Sequence, residues 1–120
     1  MIYTGTPEDI SDKYDECWFV VRKLKPFQKK GNCIYKHVPD LAPSDKLLNW
    51  TLMHKRNCTF SKKLFDCEYT PRYIEEIYSN PNALNLINYL KTTDKHILLV
   101  CYCTREDICH RSILKKLIEL

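Results

Sequence analysis

A chain of 120 residues has material for one hydrophobic core and too little for two, so it reads as a single domain over 1–120. With 44% hydrophobic and 12% aromatic residues the composition is globular, and the longest apolar run, 97–103, is far too short to cross a bilayer, which excludes a membrane span. The net charge of +4 favours an anionic partner only weakly, and two glycines leave no glycine-rich loop to cradle a phosphate.

In chain order, "IYTG" predicts a short first strand, and "TPEDISDKY" a helix capped by Thr6 with Pro7 at its first position. "CWFVVRKL" is β-branched and aromatic, a second strand with Arg22 near its C-terminal end. Residues 25–43, broken by Pro26, Gly31, Pro39 and Pro43, predict a long excursion without packed structure. Ser44 caps a helix in which Leu47, Leu48, Leu52 and Met53 recur at helical spacing. "NCTFSKKLFDCEY" fits no single period, Thr70 and Pro71 open another helix, and "ALNLINYLK" makes a third. "HILLVCYC" is apolar on both faces and predicts a central strand, after which "SILKKLIEL" closes the chain as an amphipathic helix. Strands alternating with helices imply a small, mainly parallel sheet flanked by helices, and ligands of such sheets sit beyond the carboxyl ends of the strands.

That rule directs attention to "CYCTREDICHR", 101–111. The expected start of the last helix is near Thr104 or Asp107, and a helix N-terminus attracts anions. His110 and Arg111, with Arg105, Ser112, Cys103 and Thr4 near the same edge and Arg22 opposite, would give a phosphate or carboxylate its donors. The plainer alternative makes Arg111 a structural tie between helix and sheet. No cofactor is favoured, but zinc is the alternative, because Cys101, Cys103, Cys109 and His110 form a Cys3His set. Against it, neighbours such as Cys109 and His110 on a helix diverge by about 100°. A third reading is a reactive thiol at Cys109 activated beside His110, the pair that would be catalytic in an enzyme. The Cys-x5-Arg loop of cysteine phosphatases and rhodaneses is not matched, since the five residues that follow Cys103 lead to Cys109 and not to an arginine. Among the aromatic residues, Tyr69 is the candidate for stacking on a base.

The stretch "LLVCYCTREDICHRSIL" resembles the terminal pattern of the family called domain of unknown function 488, known from bacteria and phages. "IYTG", "VVR", "LAPS" and "FDCEYTPRY" echo it more weakly. The resemblance implies a three-layer, Rossmann-like α/β fold with a polar site built from Cys109, His110, Arg111 and Arg22. Val20 stands where an aspartate is common, so that strand offers no general base. The leading expectation is a domain that binds, and as an enzyme would process, a phosphate-bearing ligand such as a nucleotide or nucleic acid. A cysteine-dependent enzyme on a nucleotide or sulfur substrate is the second. The third is a phage-type interaction module acting on a host or defence protein, in keeping with a composition rich in Lys, Asn, Ile and Tyr. "MIYTGTPEDI" shows neither the basic start nor the apolar run of a secretory signal, so the expected compartment is the cytoplasm and the seven cysteines are expected as free thiols.

Overall fold

The computed structural model describes residues 1–29 and 32–120. Gly31, one of the breaks expected in the 25–43 stretch, lies outside the described residues. Among these, four strands form one sheet: β1 (Ile2–Gly5), β2 (Glu16–Phe19), β3 (Ile34–His37) and β4 (Ile97–Val100). Their order is β1-β4-β2-β3, and every pairing is parallel. Ile97 of β4 lies opposite Ile2 on one side and Glu16 on the other, while Glu16 in turn faces Ile34. Each residue of β4 is fully buried, as an apolar run covered on both faces requires. Burial of such a side chain is worth about 1.5–3 kcal/mol, so this strand anchors the fold.

Ile97, Leu99 and Trp18 face a large core shared with the helices α1 (Asp45–Arg56), α3 (Thr70–Tyr78), α4 (Pro81–Thr92) and α5 (His110–Glu119). Leu98, Val100, Cys17 and Phe19 face the other way, into a smaller core. That second core is covered by Ile10, Tyr14, Phe27 and Cys33 from turns and loops. The α/β, three-layer, Rossmann-like arrangement is therefore present, with turn and loop residues supplying the layer opposite the helices. No helix among the described residues is long and apolar enough to cross a membrane.

Several local expectations are corrected. "TPEDISDKY" forms only a 3-10 turn, Pro7–Asp9. The Asp9 carboxylate accepts the Thr6 backbone N–H at 2.8 Å, but the chain then becomes extended at Ile10, whose side chain buries against the sheet and ends the turn. Residues 25–43 are not structureless, since they hold β3 and a second 3-10 turn, Pro39–Leu41. β3 is an edge strand with mostly exposed side chains, and the polar residues suited to an edge make it read as loop. In α1, Leu47 and Thr51 are buried whereas Leu52 and Met53 are exposed. Ser44 caps this helix as expected, accepting the Leu47 N–H.

The stretch without a clear period is helical. A single turn, α2 (Lys62–Leu64), runs through a π-helical segment, Phe65–Tyr69, directly into α3. Thr70 donates its N–H to the carbonyl of Phe65, five residues back, and the following residue, Pro71, has no N–H to offer the ladder. Mixed i→i+4 and i→i+5 spacing explains why no period fits. The last helix begins at His110, with Cys109 as its cap residue, and not near Thr104 or Asp107. A separate 3-10 turn, Glu106–Ile108, occupies that position instead.

Candidate functional site

Past Val100 the chain leaves β4 and crosses the carboxyl edge of the sheet before α5 begins. The Sγ atoms of Cys101, Cys103 and Cys109 all lie within 4.8 Å of one another there. Their convergence depends on Cys109, whose backbone is extended (φ −119°, ψ 144°) because it precedes the helix. The divergence expected of two adjacent helical residues therefore does not arise.

His110, in the first turn of α5, is 5% exposed. Its Nε2 lies 2.7 Å from the carbonyl of Val20, which can only accept, so Nε2 carries the proton. Burial pushes the His110 pKa down and favours the neutral ring. Nδ1 then presents its lone pair to Cys109 Sγ at 3.7 Å and Cys101 Sγ at 4.0 Å. Tyr73 packs its ring on this imidazole and is fixed by donating its hydroxyl to Leu41 O at 2.6 Å. Hydrogen bonds from Cys103 and Cys109, together with the Arg111 charge, hold the Cys101 thiol well below the usual thiol range despite burial. Hydrogen bonding to Cys101 pushes the Cys103 and Cys109 thiols up.

Arg111 is 3% exposed. Its Nη1 donates to Cys103 O at 2.8 Å and Cys101 O at 3.3 Å, and its Nε pairs with Glu106 at 3.2 Å. Thr4 donates its hydroxyl to the same Glu106 carboxylate. Arg111 therefore clamps the 101–106 loop from beneath, and Thr4 reaches the site only through Glu106. Ser112 turns its hydroxyl back to Cys109 O at 2.8 Å. Arg105 is exposed and paired with Asp107 at 2.8 Å.

Above the thiols opens a cavity of about 360 Å³, within the range of small-ligand sites. Of the sequence candidates it brings together Arg22, Tyr69, Cys101, Cys103, Cys109 and His110, and leaves Thr4, Arg105, Arg111 and Ser112 outside its lining. Arg22 donates from Nε to Pro43 O and from Nη2 to Pro39 O, both at 3.2 Å, which draws the 39–44 segment against the mouth. Tyr69 contributes mainly to the core, with its ring stacked on Phe65 and Tyr73. Lys23, Lys25 and Lys55 add cations to the lining against the single acid Asp45. Tyr102 forms part of the wall, and its hydroxyl accepts the Lys25 N–H at 2.7 Å. These three lysines escaped sequence reasoning because they sit in basic runs that also suit a solvated surface. The signal that could have found them is position, in the segment that leaves the carboxyl end of the second strand for two and in the last turn of α1 for the third.

A family model described as the active DUF488-N3 subclade, DUF488-N3a, matches residues 3–120. No curated protein and no solved structure matches the chain significantly.

Proposed function

The chain belongs to the DUF488 family, and on that footing we propose that its cavity binds a phosphate-bearing small molecule, with a nucleotide as the best-fitting class. The observation that carries this reading is the charge of the lining, in which Arg22, Lys23, Lys25 and Lys55 face one carboxylate, Asp45. Cations at the mouth of a low-dielectric cleft concentrate anions and strengthen each contact made inside it. The remaining wall, Val21, Leu48, Tyr102 and Ile108, is apolar and accepts a flat ring. The enclosed volume suits a mononucleotide better than a duplex, whose phosphates would meet only the rim.

In this reading Arg22 and Lys55 hold phosphate, while Arg111 shapes the floor without touching ligand. Isothermal titration with nucleoside mono-, di- and triphosphates tests it. Binding of at least one class is expected, weakened about tenfold by each of Arg22→Ala and Lys55→Ala, a loss that matches one charge-assisted hydrogen bond. Affinity should also fall as salt rises. Absence of binding by every nucleotide tried, or wild-type affinity in both variants, would sink the proposal.

A further inference from the structure

We propose that Cys101, Cys103, Cys109 and His110 bind one zinc ion through three Sγ atoms and the imidazole Nδ1. This goes beyond the ligand proposed for the rim, and concerns a separate set of atoms at the cavity floor.

The geometry is close to that of a tetrahedral site. Zinc–sulfur and zinc–nitrogen bonds of about 2.3 and 2.1 Å place ligand sulfurs roughly 3.8 Å apart, and sulfur and nitrogen roughly 3.6 Å apart. In this chain the three sulfurs already lie within 4.8 Å of one another, and Nδ1 lies 3.7 and 4.0 Å from two of them. Shifts of about an ångström would bring the three sulfurs to zinc–sulfur spacing, and the His110 Nδ1 would join them from the side of Cys101 and Cys109.

The surroundings fit a metal as well. A zinc-bound histidine typically gives its other ring N–H to a carbonyl or carboxylate, which fixes the tautomer and aims the lone pair. Here Nε2 and Val20 O, 2.7 Å apart, form that bond, leaving Nδ1 pointed at the sulfurs. Three thiolates and one zinc ion carry a net charge of −1, and the buried Arg111 beside them supplies the compensating cation. Thiolate and imidazole donors select zinc over magnesium or calcium, which prefer oxygen. With four protein ligands the site is closed, so the ion would pin the 101–109 loop to the start of α5 and make the floor rigid.

The test is metal analysis of the purified chain, followed by cobalt(II) titration of metal-free protein. One zinc per chain is expected, with one-to-one cobalt uptake giving thiolate charge-transfer and tetrahedral d–d bands. Cys103→Ser, a half-exposed position with little to lose in packing, should lower cobalt affinity more than about 100-fold, beyond the cost of losing an outer-shell partner. The exposed control Cys67→Ser should bind as wild type, and circular dichroism of both variants verifies folding. Folded protein that takes up no cobalt, or a Cys103→Ser variant with undiminished affinity, would overturn the site. Rapid alkylation of Cys101, Cys103 and Cys109 in zinc-saturated protein, at the rate of exposed Cys58 and Cys67, would do the same.

Discussion

Glu16 is a carboxylate built into the middle of a sheet, 1% exposed, and it survives there because three donors converge on it. Trp18 Nε1, Lys36 Nζ and Lys95 Nζ each approach to 2.9 Å. Burial alone would raise its pKa, but the hydrogen bonds from Lys95, Trp18 and Lys36 outweigh it and bring the value from 4.5 to about 2. A lowered carboxylate pKa stabilises the fold above the unfolded value, and that contribution fades as pH falls from 4.5 toward 2. Glu16→Gln should therefore cost roughly 3 kcal/mol in urea unfolding at pH 7. The gap to wild type should narrow below pH 4, and a gap independent of pH would refute this account.

Arg111 is the other buried charge among the described residues. Arg111→Lys keeps the cation but replaces a planar fork with a single ammonium, which cannot serve Cys101 O, Cys103 O and Glu106 together. A loss of about 2 kcal/mol in the same urea assay is expected, and wild-type stability would show that the clamp is dispensable. At this scale the sequence displayed the thiols and His110 as one quoted stretch. It did not display Glu106 as the link between Thr4 and Arg111, because a hydrogen bond between residues so far apart in the chain leaves no local pattern.

Helix boundaries follow from what happens at their ends. Ser44 accepts the Leu47 N–H at 3.1 Å and donates both its own N–H and its hydroxyl to Glu76 of α3, so one side chain caps α1 and ties it to its neighbour. Ser44→Ala should cost about 1–2 kcal/mol in thermal unfolding, the upper part of the range for a cap because the hydroxyl's bond to Glu76 is lost too, while the backbone N–H keeps its own. An unchanged melting temperature would mean that water replaces both partners. The cap at Ser44 was legible, since Ser before an apolar period carries its own mechanism. Cys109 as a cap was not, because its side chain makes no cap bond and its role depends on the turn before it.

Across the whole molecule, protection should follow the sheet order. Amides of β4 and β2, central and buried, should exchange slowest with deuterium, and those of β3 at the edge fastest among the strands. Equal rates in β3 and β4 would contradict the topology. The sheet's parallel character was legible from strands separated by helices, whereas β3 stayed hidden because exposed edge residues lack the apolar signature on which such reading depends.

The position of β4 also sets an order of assembly. β2 and β3 are close in sequence and can pair early, but Ile2 of β1 has no strand to bind until Ile97 of β4 arrives between the halves. Until the residues up to Ile97 have been made, a ribosome extending this chain holds β1 without its partner strand, and β4 then enters the gap between β1 and β2. Agents that guard nascent chains would find their binding window there, and a substitution weakening β4 would lower the yield of folded protein more than its equilibrium stability suggests.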